Sequence, residues 1–125
     1  MKNVLVFGGS GFLGYYLVNE LLIRGYDVTV ADLNNKFENK VKYIKCDINS
    51  KVNVNNVFKI KQFDFVYNLA GFANLDQAIN FPIETIQLNV IGNMYILEQC
   101  VKNNVSRVAY ASSAYAMSNK GSFYG

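Results

Sequence analysis

The stretch Asn3-Val4-Leu5-Val6-Phe7-Gly8-Gly9-Ser10-Gly11-Phe12-Leu13-Gly14 decides how the rest of the chain is read. Its opening residues form a short apolar run, partly β-branched and aromatic, halted by paired glycines, which is the pattern of a buried strand. Beyond the glycines, apolar Phe12, Leu13, Tyr16, Leu17 and Leu21 recur at helical spacing until Gly25 supplies a stop. A strand, a glycine-rich turn and a helix open a βαβ unit. Within the turn, Gly8 begins a G-x-x-G-x-x-G pattern and Gly9 a G-x-G-x-x-G pattern. The first glycines allow the tight turn, Gly11 lets the backbone approach a pyrophosphate, and Gly14 permits close helix–strand packing. A pyrophosphate would rest on free amides at the positive end of the helix dipole. Gly8, Gly11, Phe12, Leu13 and Gly14 are therefore candidate cofactor-binding residues.

The same alternation continues outward. Asp27 to Ala31 reads as a second strand ending at Asp32, and Val41 to Cys46 as a third ending at Asp47. Ser50 is placed to cap a weaker helix through Ile60, with Val54, Val57 and Phe58 on one face. Phe63 to Leu69 is a fourth strand. Pro82 suits the first turn of a long helix, along which Ile86, Val90, Met94 and Leu97 recur through about Asn103. Val105 to Ala111 is a fifth strand, running into Ser112-Ser113. Strands separated by helices predict one α/β domain over residues 1–125, a Rossmann-type doubly wound parallel sheet. The expected strand order is 3-2-1-4-5, with helices on both faces. Ligands of such sheets bind outside the carboxyl ends of the strands.

Those ends carry the informative carboxylates. Asp32 closes the second strand 18 residues after Gly14, where a carboxylate accepts both ribose hydroxyls of NAD and repels the 2′-phosphate of NADP. Asp47 is a candidate contact to the adenine amino group, and a turn-forming aspartate is the competing reading. The candidate core aromatics are Phe12, Tyr16, Phe58, Phe65, Tyr67 and Tyr95, with Tyr15, Phe72 and Phe123 packed in the core or at the cleft rim.

Composition narrows the function classes. Apolar residues make up 51% of the 125, and there is a single proline, which excludes disordered and collagen-like chains. Histidine is absent, which removes Ser-His-Asp triads, Cys-His pairs and histidine-ligated metals. Cys46 and Cys100 sit in apolar runs and read as buried free thiols. The net charge of +3 gives no case for nucleic acid, and Lys36, Lys40, Lys42 and Lys45 read as a solvated face. The apolar run at the N-terminus is too short for a signal-peptide core or a membrane span, so a cytoplasmic protein without membrane partners is expected.

Taken together, these residues resemble the extended short-chain dehydrogenase/reductases, the NAD-dependent nucleotide-sugar epimerase/dehydratase group. Gly8 to Gly14 resembles its nucleotide loop, and Cys46-Asp47-Ile48 its adenine-contacting segment. Asn68-Leu69-Ala70-Gly71 is similar to the segment passing beneath the nicotinamide ribose, which implicates Leu69, Ala70 and Gly71. Asn89-Val90-Ile91-Gly92-Asn93, within Pro82 to Glu98, resembles the family helix N-V-x-G-T…L-E, with Asn89 as a cofactor-side residue. Tyr110-Ala111-Ser112-Ser113-Ala114 resembles the segment that carries the catalytic Ser/Thr.

The resemblance implies NAD as cofactor, a nucleotide-sugar substrate, a homodimer, and a Ser/Thr, Tyr and Lys working group. Ser113 matches the Ser/Thr, and Tyr124-Gly125 is similar to the start of Y-G-x-S-K. Such a tyrosine acts as base once a Lys⁺ and the positive nicotinamide lower its pKa, while the serine hydrogen-bonds the reacting oxygen. Three departures accompany it. The lysine position lies past Gly125, and the sugar-binding C-terminal region is likewise not in the sequence. Ala116-Met117-Ser118 replaces V-Y-G, and the Ser113–Tyr124 interval is short. The expectation is a cofactor-binding half that binds NAD but does not turn over substrate alone. Where the dehydratases carry an acidic pair after the catalytic Thr, Ala114 and Tyr115 stand, favouring epimerase or sugar redox chemistry over dehydration. The alternative is a non-catalytic NAD-binding redox sensor or regulatory protein.

Overall fold

The computed structural model describes residues 1–113. Its strands are β1 (Asn3–Phe7), β2 (Asp27–Asp32), β3 (Lys42–Lys45), β4 (Phe65–Asn68) and β5 (Arg107–Tyr110). All pair in parallel in the order β3-β2-β1-β4-β5, with Val4 opposite Val28 on one side and Phe65 on the other. This is the order expected from the sequence. Parity along β1 divides the core. Val4 and Val6 join Val28, Val30, Val18 and Leu21 beneath helix α1 (Phe12–Ile23). Leu5 and Phe7 face the other way, beneath α2 (Lys51–Phe58) and α5 (Asn93–Lys102), where Val54, Val57, Ile96 and Cys100 meet them. Every residue of β1 from Val4 to Phe7 is fully buried, as the central strand of a sheet covered on both faces requires.

Local chemistry sets the element ends. Ser50 Oγ accepts the Asn53 amide at 3.2 Å and caps α2 as expected. α1 ends at Arg24, and Gly25 then adopts φ 84°, a left-handed conformation cheap only for glycine.

Two helical readings need correction. α1 buries Gly14, Val18 and Leu21, whereas Phe12 is 84% and Tyr16 62% exposed. Apolar residues occur all round this helix, so spacing alone did not select its inner face. Gly14, with no side chain, is the residue that lets the helix approach the sheet. Phe12 and Tyr16 instead stack edge to face outside, and Tyr15 stacks on buried Phe37.

The long helix expected from Pro82 is also not uniform. It runs as α4 (Pro82–Ile86), a π-helical turn (Gln87–Gly92) and then α5. The wider turn shifts the inward face: Gly92, Ile96, Gln99 and Cys100 are buried, and Ile86, Val90 and Met94 are exposed. A short helix that the periodicity did not predict, α3 (Leu75–Asn80), precedes it. Asn74 Oδ1 caps it by accepting the Gln77 amide, and it buries no residue. Among the described residues, no helix is long and apolar enough to cross a membrane.

Candidate functional site

The carboxyl ends of all five strands open onto one side of the sheet, and two cavities lie there. The first, about 320 Å3, is lined by Gly8, Ser10, Gly11, Asp32, Asp47 and Ile48 among others. The second, about 570 Å3, reaches Asn89, Asn93, Tyr110, Ser112 and Ser113. Leu69, Ala70 and Gly71 line both, so the two form one cleft over the end of β4. A hollow of about 210 Å3 between Leu21, Tyr26, Phe65 and Arg107 lies on the α1 face of the sheet and contains none of the candidate residues.

The glycine loop is tightly built. Gly8, at φ 74°, donates to the Ala31 carbonyl at 3.0 Å, and Gly11 donates to the Gly8 carbonyl at 3.1 Å. A Cβ on Gly8 would stand 2.5 Å from the Ala70 nitrogen, so the loop and the β4 end touch backbone to backbone. On Gly14 it would collide with the Gly8 carbonyl and stand 2.7 Å from the Gly9 Cα. On Gly11 it would meet only the Gly8 oxygen, at 3.3 Å. Gly8 and Gly14 are thus demanded by the fold, whereas a Cβ on Gly11 would make one tight contact, with the Gly8 carbonyl oxygen, and Gly11 lines the cavity. No side chain caps α1, and its first turn carries no acidic residue. The unsatisfied amides of Phe12, Leu13 and Gly14 are those an anion at this helix start would meet. These three residues belong to the helix turn behind Gly11 and do not line the cavity; the Phe12 and Leu13 side chains are exposed.

Asp32 binds the loop to the second strand. Its Oδ2 accepts the Ser10 amide at 3.0 Å and its Oδ1 the Asn34 amide at 3.1 Å. The Tyr43 hydroxyl and the Cys46 amide both donate to the Asp32 carbonyl. Burial, then the Asp32 charge, raises the Tyr43 pKa, so the phenol stays a donor here. Asp47 makes the turn that was the competing reading: its Oδ1 accepts the Asn49 amide at 2.9 Å, and its own amide donates to Asn53 Oδ1. It still lines the cavity beside buried Ile48. Cys46 lies there too, its thiol pushed up to about 11 by burial and therefore unreactive.

At the other end, Asn89 Oδ1 accepts the Phe72 amide at 2.6 Å and its Nδ2 donates to the Phe72 carbonyl at 3.0 Å. Asn89 lines the second cavity, but both ends of its amide serve the loop after Gly71. Ser113 is exposed on the same cavity, beyond the end of β5. Tyr124 and Phe123 lie outside the described residues. Sequence reasoning missed Ser10, Asn34, Lys36 and Asn93. Ser10 and Asn34 donate their amides to Asp32, Lys36 lines the first cavity and Asn93 the second. Among the described residues no cluster of His, Cys, Asp or Glu is arranged to hold a metal.

Residues 4–123 match the sequence model of the NAD dependent epimerase/dehydratase family. The chain belongs to that family. Among epimerase/dehydratase family relatives, the UDP-glucose 4-epimerase of Drosophila melanogaster is 30% identical over 130 residues, covering 90% of this chain and 37% of that protein. The crystal structure of UDP-glucose 4-epimerase from Thermus thermophilus, a complex with NAD, superposes with TM-score 0.85 at 30% identity, covering 90% of this chain and 38% of that one. The Thermotoga maritima UDP-glucose 4-epimerase, solved with UDP-glucose, gives TM-score 0.85 at 28% identity, over 92% and 39%. The chain spans less than two fifths of each of these relatives. The family is NAD dependent by its description, and the glycine loop of this chain fits a dinucleotide: no side chain caps the start of α1, and Gly11 lines the cavity without a side chain to fill it.

Proposed function

We propose that residues 1–125 form the NAD-binding Rossmann unit of a nucleotide-sugar epimerase. The observation that carries this reading is the continuous cleft from Asp32, past the Gly8–Gly14 loop, to Ser113. In this reading the Gly11 region and the amides of Phe12, Leu13 and Gly14 hold the pyrophosphate. Asp32 takes the adenosine ribose, and Asp47 with Ile48 borders the adenine. Leu69, Ala70 and Gly71 lie beneath the nicotinamide ribose, with Asn89 holding their loop in place.

NAD, when bound, supplies a reversible hydride acceptor. The chain's own groups handle the proton and the oxygen. Tyr124 as phenolate removes the proton of the sugar hydroxyl and later returns it, and Ser113 donates a hydrogen bond to that oxygen. Ala114 and Tyr115 offer no acid–base pair for expelling water, which supports epimerisation over dehydration. The substrate class is a nucleoside diphosphate sugar, as the names of the relatives suggest. The relatives described above are enzymes, so nothing favours the regulatory alternative. A homodimer is part of the proposal, with exposed Ile83, Ile86, Val90 and Met94 as its apolar contact.

Incubating the full-length protein with NAD and UDP-glucose tests the reaction by NMR of the sugar. Formation of the C4 epimer is expected. A dehydrated keto sugar, or unchanged UDP-glucose in the presence of bound NAD, would overturn the epimerase reading.

A further inference from the structure

One arrangement at the Ser113 end of the cleft plays no part in the roles assigned above. Asn68, only 5% exposed at the end of β4, accepts the Ala70 amide on its Oδ1 at 3.0 Å. That bond fixes which way the Asn68 amide faces, because only an oxygen can accept there. Its Nδ2 therefore donates, and the acceptor is Asn93 Oδ1 at 2.9 Å. Asn93 in turn has its acceptor committed to Asn68. Its Nδ2, carrying two N–H donors, has no hydrogen bond among the described residues. Asn93 lines the same cavity as Tyr110, Ser112 and Ser113. The other asparagine amide on this wall, Asn89, is spent at both ends on Phe72. No lysine or arginine lines the cavity among the described residues, so it suits a neutral oxygen and not a phosphate.

We propose that Asn93 is a ligand-binding residue of the reactive end of the cleft, its side-chain amide donating to a neutral oxygen acceptor of a bound molecule. That chemistry has two sources here, the carboxamide oxygen of nicotinamide and a hydroxyl oxygen of the sugar. The inference rests on the epimerase reading above and adds to it a residue whose orientation is dictated by a buried neighbour.

Asn93→Asp tests it with little disturbance. The aspartate keeps an oxygen for Asn68 and replaces only the outward N–H donors with a second oxygen. Calorimetric titrations of the full-length protein would use ADP-ribose, NAD, and UDP-glucose added to the NAD-loaded form. ADP-ribose lacks the nicotinamide and should bind the variant as it binds wild type. If the acceptor is the carboxamide, NAD affinity falls about tenfold; if it is the sugar, NAD binding holds and UDP-glucose affinity falls about tenfold. Either result supports the proposal. Unchanged affinity for all three ligands would overturn it, and so would a loss that includes ADP-ribose, which marks a structural role. Should Asn93→Asp fail to fold, Asn93→Ala removes the donor without adding charge and is read by the same comparison. Wild-type protein that binds neither NAD nor ADP-ribose would instead overturn the functional reading, and this inference with it.

Discussion

At the scale of single residues, Gly11 and Gly14 separate binding from folding. A Cβ on Gly14 collides with the Gly8 carbonyl, so Gly14→Ala should lower stability by about 2 to 3 kcal/mol, read as a drop in thermal midpoint. On Gly11 the same atom meets only the Gly8 oxygen, at 3.3 Å. Gly11→Ala should therefore lower the thermal midpoint much less than Gly14→Ala does, and lose most of its affinity for NAD in a calorimetric titration. An alanine variant at Gly11 that binds normally would reduce the loop to a turn. Asp32 is different because it does both jobs. Its carboxylate already accepts two backbone amides, from Ser10 and Asn34. Asp32→Ala should cost about 1 to 3 kcal/mol of stability by denaturant titration and should weaken NAD binding as well. The sequence motif announced Asp32 as a ribose ligand but not as the clasp of the glycine loop. That second role depends on where Ser10 falls after β1 turns, which spacing does not specify.

The elements were legible in proportion to how far local chemistry determined them. β1, β2 and the α2 cap read directly, because burial on both faces gives unbroken apolar runs and Ser50 has a side-chain oxygen to offer Asn53. Ser50→Ala should accordingly cost about 1 kcal/mol, measured by equilibrium unfolding. The inner face of α1 was legible only in part, and that of the helix after Pro82 was not. In α1 the glycine motif marked Gly14 and the periodicity marked Leu21, but apolar residues all round the helix also drew in Phe12 and Tyr16, which are exposed. Along 82–102, the π-helical turn moves the inward face from Ile86, Val90 and Met94 to Gly92, Ile96 and Cys100. A Cβ on Gly92 would stand 2.9 Å from the Ile48 Cδ1, so this turn packs closely against the Asp47–Ile48 end of the cleft. The candidate site was legible where it follows strand ends, as at Asp32, Asp47, Gly71 and Ser113. Asn93 escaped because its part is assigned by a hydrogen bond from buried Asn68, a contact between residues 25 apart.

Across the whole molecule, the two buried thiols make stability depend on alkaline pH. Burial pushes Cys46 up to about 11 and Cys100 up to about 12, from an ordinary value of 9.0. Below pH 9 both folded and unfolded chains keep these thiols protonated, and the contribution to stability is intact. Above it the unfolded chain ionises first, so stability should decline as pH rises from about 9 toward 11, as unfolding free energies at stepped pH will show. Both thiols should also resist alkylation in native protein at pH 8 and react once it is unfolded. A stable native chain with rapidly modified Cys46 would contradict the burial.

The cleft as a whole should bind NAD, and Asp32 should make it prefer NAD to NADP. Isothermal titration of the protein with each dinucleotide measures both properties at once. Saturable binding of NAD is expected, with NADP at least about tenfold weaker because its 2′-phosphate meets the Asp32 carboxylate. Equal or tighter binding of NADP, or no binding of NAD, would contradict it.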